Sequence, residues 1–299
     1  MNKEFFLTLR LIAFSTASGI IFFHFNEKEI NELKEAVLKE TYSLSPMKLM
    51  AFEKGKDEKF LQQNVSFAVE LAGLPTHYFS VYLESEEKLV LTALARLISN
   101  KLIENSLFSE NSFSNRRDRT IKDFINTVIG WGQVENLILV DLSRSVEILS
   151  QERLFQKKEV VLHDRYLLNL LSSFLTWPFI DKTGERAWTP WSEKKGIPTG
   201  SEFGFLSQVL LNYYLDDLDR AFQVKFPKMK YARFDYEVLI PIYNQKYFNV
   251  KMFTELIEEL DLIAKVTIIV PGGFPIPFVG GDIFLNREGD IQIITESEG

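Results

Sequence analysis

The chain contains no cysteine. Disulfides, thiolate metal sites and a cysteine nucleophile are therefore excluded. Histidine is scarce, and His24, His77 and His163 are scattered without metal-ligand spacing. Basic charge is not in surplus either: 34 lysines and arginines face 41 acids, for a net charge of −7. A chain that grips nucleic acid unaided carries a basic excess, because neutralising phosphates supplies most of the affinity. This chain must concentrate its cations in one groove or bind nucleic acid beside a partner. Internal repeats and low-complexity tracts are absent. A clean membrane span is missing as well. FFLTLRLIAFSTASGIIFFHF, residues 5–25, has the length, but Arg10 interrupts it and Ser15, Thr16, Ser18 and Gly19 dilute its middle. It matches a signal peptide only loosely. The segment reads as a buried or partner-covered helix, and the protein as cytoplasmic with no membrane partner.

What is present suits a globular protein. At 299 residues, 46% apolar and 25% charged, the chain can bury a sizeable core in one large domain or two smaller ones. Its 26 phenylalanines point to a Phe-rich core. Helical spacing predicts helices over 27–39, 86–105, 120–129, 164–177, 205–222 and 251–263. LILVDL, residues 137–142, reads as a buried strand with a carboxylate near its end. KLMAFEKGKDEKFLQ reads as strand, turn and strand, and DKTGERAWTPWSEKKGIPTG as a hairpin leading into a glycine-bracketed loop. YARFDYEVLI, residues 231–240, reads as a hairpin, and VTIIV, GGDIF and DIQII as closing strands. Helices and strands mix without regular βαβ alternation, so the expected class is α+β with a mostly antiparallel sheet.

Four stretches matter for their order: LVDLSRSVEIL, then KKGIPTGSEFGFLSQVLLNYYLDDLD, then YARFDYEVLI, then EELDLIAKVTIIVPGGFPIPFVGGDIF. Upstream lie TYSLSPMKLMAFEKGKDEK and EEKLVLTALARLISNKLIE, the latter followed by ENSFSNRRDR. In this order they resemble the fingers and palm motifs of reverse transcriptases of the group II intron and bacterial antiviral-defence kind. The resemblance spans roughly residues 28–295. It implies a fingers-like region with part of the palm over 28–136, a palm-like region over 137–299 and an N-terminal extension over 1–27, with an antiparallel palm sheet packed on helices. It implies RNA or RNA–DNA as ligand, and an RNA-directed DNA polymerase if active. The α-helical thumb that normally follows is not visible, which implies a protein partner such as a second reverse transcriptase chain or an oligomer.

Such a polymerase uses two divalent cations, Mg²⁺ or Mn²⁺, bridged by carboxylates. The resemblance assigns the first carboxylate to Asp141 and sets Arg233-Phe234-Asp235-Tyr236-Glu237 against the family's "RYxDD" hairpin. Read without a gap, Tyr236 takes the main ligand position, Glu237 the second, and Asp235 falls one residue early. A phenol does not replace a bridging carboxylate, because its pKa is near 10. Moving Asp235 into register requires a one-residue deletion, which on a strand reverses the face. The positions that in the family carry sugar-selecting aromatics are Ser145 and Val146. The stretch after GIPTG is about three residues longer than usual. The candidate catalytic and metal residues are Asp141, Asp235 and Glu237. Candidate nucleotide and template contacts are Lys54, Lys56, Lys59, Arg116, Arg117, Arg119, Gly196, Pro198 and Gly200, with Lys122 extending the basic cluster beside Phe113.

Blander roles exist for each. Asp141 also suits a helix N-cap, Asp235 and Glu237 solvated turn positions, and the lysines a charged turn. Trp188 and Trp191 read as a packing clamp or partner surface, and Asp216, Asp217 and Asp219 as structural. The expectation is a catalytically degenerate pseudoenzyme, a nucleic-acid-binding or assembly subunit, in an antiviral defence system or as a relic of an intron or mobile element. The alternative is an active divergent polymerase, RNA-directed or untemplated, using Asp141 with Asp235 or Glu237.

Overall fold

The computed structural model describes residues 27–44, 47–53, 67–69, 77–116, 118–158, 162–177, 179–180, 186–187, 193–198, 203–244, 250–279 and 281–295. In chain order its elements are α1 (Glu27–Leu38), β1 (Met47–Glu53), β2 (Phe67–Val69), β3 (His77–Tyr82), α2 (Ser85–Glu104), α3 (Ile121–Ile129), β4 (Asn136–Asp141), α4 (Gln151–Lys158), α5 (Arg165–Leu175), β5 (Phe179–Ile180), β6 (Arg186–Ala187), α6 (Gly204–Lys225), β7 (Ala232–Phe234), β8 (Glu237–Ile242), α7 (Val250–Glu259), β9 (Lys265–Ile269), β10 (Ile276–Phe278), β11 (Gly281–Leu285) and β12 (Ile291–Thr295). The fold is α+β, with helices and mainly antiparallel sheets. The helices at 86–105, 120–129 and 205–222 and the strand at 137–142 form within a few residues of their expected limits. Helix α4, strands β2, β3 and β10, and a 3₁₀ turn at Ser143–Glu147 are additions to the elements read from periodicity. Among the described residues no helix is long and apolar enough to cross a membrane.

The chain divides into two compact units, Met1–Lys101 with Ser150–Leu210, and Leu102–Leu149 with Leu211–Gly299. In the first unit the sheet runs β2-β3-β1-β5-β6, with β1 and β5 parallel and the other pairs antiparallel. Asp164 caps α5 by accepting from the N–H groups of Tyr166 and Leu167, and Tyr166 then reaches back to donate its hydroxyl to the Tyr42 carbonyl at 2.8 Å. Buried Gln151 donates to the carbonyls of Leu175 and Gly196, tying α4 to the end of α5 and to the glycine loop.

The second unit is built on a four-stranded antiparallel sheet, β7-β8-β4-β9. Register pairs Leu139 with Leu239 and Thr267, and Val140 with Val238 and Val266. Because side chains alternate, Leu137, Leu139, Leu239 and Ile269 share one face. That face belongs to a core with Phe124 and Val128 of α3 and with Phe278, Ile283, Leu285 and Ile291 of the small sheet β10-β11-β12. Phe124 is its hub: its ring centroid lies 5.5 Å from those of Phe113 and Phe234 and 5.7 Å from that of Phe278. This is the phenylalanine core that the composition implied. Helix α3 begins where it does because Thr120 and Asp123 form a reciprocal capping box. On the opposite face of the sheet, Arg233 stands beside Val238 in register and bonds to Asn212 and Asp219 of α6. At the end of α6, Phe222 stacks on Tyr231 with centroids 4.7 Å apart and meets Phe253 of α7 edge-on.

Candidate active site

Across one end of the sheet, register lines up Phe234, Glu237, Asp141 and Lys265 on four neighbouring strands. They lie two residues beyond Ala232, Leu239, Leu139 and Thr267 on β7, β8, β4 and β9, so this polar row edges the same face as the phenylalanine core. β7 and β8 are joined by the two-residue turn Asp235-Tyr236, since Phe234 pairs with Glu237. The hairpin therefore closes on Asp235 and Tyr236, and Tyr236 is the residue that the resemblance, read without a gap, sets at the main metal-ligand position. Asp235 takes the first turn position with φ of 50°, a left-handed conformation that aspartate tolerates better than most residues. The ladder continues past Asp141, as the Leu142 N–H donates to the Tyr236 carbonyl at 2.9 Å.

Each of the three candidate carboxylates is engaged by the chain itself. Asp141 Oδ1 accepts from the Ser143 N–H at 2.8 Å, so it braces the start of the 3₁₀ turn much as an N-cap would. Glu237 Oε2 accepts from the Val279 N–H at 3.0 Å. Asp235 Oδ1 accepts from the Asn115 amide, and the Asp235 N–H donates to Ser114 Oγ at 2.8 Å. Burial pushes the Glu237 carboxyl up to about 7; the bond from Val279 opposes this, and the charges of Asp141 and Asp235 add to it. Burial likewise raises Asp235, against the bonds from Ser114 and Asn115 and the charge of Arg233. Tyr236 is also raised, by burial and then by Glu237, Asp235 and Asp141, so its phenol stays protonated. A cavity of about 500 Å³ opens here, lined by Phe234, Tyr236, Glu237, Pro277, Phe278 and Val279, among others.

A pair of Mg²⁺ or Mn²⁺ ions asks for several oxygens that converge on one place. Among the described residues, no three acidic or histidine side chains do so. With a phenol at the turn and no convergence of the three carboxylates among the described residues, this donor set does not fit a two-ion centre.

The remaining sequence candidates fall in different settings. Arg116 is turned inward: Nε and Nη2 bond Asp118, Nη1 donates to the Ser109 and Ser112 carbonyls, and the side chain is 9% exposed. In this structure its donors are spent on shaping the loop. Arg119 lies over the Phe113 ring at 4.9 Å, and Lys122 is exposed on α3. Gly196 has φ of 70°, and its carbonyl accepts from Gln151, while the Pro198 carbonyl accepts from Ser207. Lys54, Lys56, Lys59, Arg117, Gly200, Trp188 and Trp191 lie outside the described residues. Ser145 is buried, and its Oγ bonds both the N–H and the carbonyl of Ile263 at 2.8 Å, so it joins the 3₁₀ turn to the approach of β9. Asp216 and Asp219 are structural: Asp216 accepts from the Ser109 N–H and pairs with Arg220, and Asp219 holds Arg233.

Four residues around the hairpin escaped sequence reasoning: Ser112, Ser114, Asn115 and Asn212. Arg233 Nη2 donates to Asn212 Oδ1 at 2.8 Å and to Ser112 Oγ at 3.1 Å, while Nη1 donates to the Asp235 carbonyl at 2.8 Å. The only linear signal was the polar run SFSN before the arginines.

No family model matches the chain, and no curated protein matches it. Solved structures do. Telomerase from Candida albicans, in a complex with a fragment of telomeric RNA, superposes with a TM-score of 0.53 at 13% identity, covering 92% of this chain and 50% of that one. The RNA-dependent RNA polymerase of bacteriophage phi12 gives 0.53 at 11% identity, covering 89% and 47%. Apo telomerase from Candida tropicalis gives 0.50 at 11% identity, covering 91% and 54%. The chain spans about half the length of these proteins. At such identity the likeness concerns the fold, which is that of nucleic-acid polymerases.

Proposed function

We propose that this chain is a reverse-transcriptase-like protein that has given up ordinary nucleotide transfer and serves as an RNA-binding or assembly subunit. One observation carries this reading: the hairpin turn is Asp235-Tyr236, with Tyr236 where the resemblance read without a gap sets the main ligand, and Asp141, Asp235 and Glu237 each accept a hydrogen bond from the chain itself. The polymerase fold supports RNA or an RNA–DNA hybrid as the ligand. The net charge of −7 supports a partner, either a catalytically complete polymerase or further copies of this chain, that supplies part of the grip. Bacterial antiviral defence is the setting that the sequence resemblance favours.

A second reading has its own support. Glu237 stands directly across from Asp141 in register, so two of the three carboxylates remain neighbours. On this reading the chain is a divergent polymerase. The deciding experiment is nucleotide incorporation by the purified protein with copurifying RNA retained, in Mg²⁺ and then Mn²⁺, against Asp141→Ala. The expected result is no Asp141-dependent incorporation, with RNA or a second polymerase chain copurifying. Incorporation lost in Asp141→Ala overturns the subunit reading in favour of the second.

A further inference from the structure

The turn carboxylate is held by a loop distant in sequence. Residues 111–113 run along the outer side of β7: Ser112 bridges Arg233 in parallel, the Phe113 N–H donates to the Arg233 carbonyl at 2.9 Å, and the Arg233 N–H donates to the Asn111 carbonyl at 2.8 Å. Asn115, next along this loop, donates its amide to Asp235 Oδ1. The strand carrying Asp141 lies on the other side of the hairpin, two places from β7 in the order β7-β8-β4. Strands are spaced by about 4.8 Å, so the loop and Asp141 lie on opposite sides of the hairpin. Both clasped residues are left-handed, Asn115 at φ 54° and Asp235 at φ 50°. Such backbone costs about 1 kcal/mol or more per residue and persists where surrounding contacts over-determine it. Those contacts are the bond from the Asp235 N–H to Ser114 Oγ, the Arg233 bond to the Asp235 carbonyl, and the buried Arg233–Asp219 pair beneath.

We infer that Asn115 is a positioning residue that clasps the Asp235 carboxylate on the outer side of the hairpin and so keeps it from joining Asp141 and Glu237 around a divalent cation. This deepens, and rests on, the reading of the hairpin as a site that has lost its ions. Asn115 makes that loss a held state: the oxygen donors remain in the chain, Ser114 and Arg233 fix the backbone of the third, and the Asn115 amide holds its carboxylate apart.

The test uses Mn²⁺ alone as probe, with binding to the full chain followed by electron paramagnetic resonance of the free ion. Asn115→Gly deletes the amide and keeps the left-handed backbone accessible. Asn115→Ala is the second variant should glycine loosen the loop, and thermal unfolding verifies that each is folded. The expected result is weak binding by wild type, a gain of tenfold or more in Asn115→Gly and Asn115→Ala, and loss of that gain when Asp141→Asn is added. A purely structural role for Asn115 leaves Mn²⁺ affinity unchanged or lower. Folded variants that bind Mn²⁺ like wild type overturn the proposal, as does tight, Asp141-dependent binding by the wild-type chain. Asp141-dependent incorporation by wild type instead sinks the functional reading, so the two failures are told apart.

Discussion

Arg233 and Asp219 are both fully buried and joined through two hydrogen bonds of 2.8 and 2.7 Å. Removing two charges from water costs several kcal/mol each, and the bidentate geometry with added bonds to Asn212, Ser112 and the Asp235 carbonyl offsets it. Asp219→Ala leaves a guanidinium stranded. Urea unfolding should register a loss of about 3–5 kcal/mol, whereas the paired change Arg233→Met with Asp219→Leu should cost much less. Glu237 supplies a test in pH. Its folded carboxyl titrates at about 7, above the ordinary 4.5, so the folded state holds that proton more tightly than the unfolded chain. The contribution is fully present below about 4.5 and is lost as pH rises through about 7. Glu237→Gln keeps an acceptor for Val279 and cannot ionise. Its melting temperature should therefore gain on wild type between pH 5 and pH 8, and an unchanged difference would refute the assignment.

At the scale of elements, caps and turns decide where structure begins. Thr120 and Asp123 close the first turn of α3 reciprocally, so Thr120→Ala should lower stability by about 1 kcal/mol in denaturant titration. Gly289 closes the β11–β12 turn at φ 88°, and its carbonyl accepts from the Val134 N–H. A Cβ added there would stand 2.5 Å from the Val134 carbonyl oxygen. Gly289→Ala therefore combines left-handed strain with a backbone clash, and a loss of about 2 kcal/mol or more is expected. The elements themselves were largely readable. Leu91, Leu94, Ile98 and Leu102 repeat along α2 at helical spacing, and the apolar run to Asp141 is strand β4. The hairpin at Asp235-Tyr236 follows from local chemistry, whereas the capping of α5 by Asp164, which starts the helix one residue later than its spacing predicts, was not read. The candidate site was readable only as an inventory. Tyr236 and Glu237 could be put at a hairpin turn and Asp141 at the end of a buried strand, but the pairing that brings Asp141 opposite Glu237 could not be read. What each carboxylate bonds could not, because the partners are remote: Asn115 lies 120 residues from Asp235 and Val279 lies 42 from Glu237. Serine and asparagine carry no periodic signal, and neither do the bonds of Arg116 to Asp118 and two carbonyls.

For the molecule as a whole, charge sets the terms of the proposed RNA binding. With 41 acids against 34 bases, affinity must come from local cations or from a partner. Arg119, resting on Phe113, and exposed Lys122 are candidates in the second unit. If both touch phosphate, Arg119→Ala with Lys122→Ala should weaken RNA binding evenly across sequences and reduce the slope of log K against log salt by about two. An unchanged slope would move the contact elsewhere. The loop beside β7 also has a bearing on aggregation. It closes one margin of the central sheet with main-chain bonds, whereas among the described residues β9, at the other margin, pairs only with β4. Ile268 and Val270 are half exposed along that open margin. Among the described residues, growth of the sheet into ribbons therefore has one open margin, and a charge introduced at Ile268 would guard it.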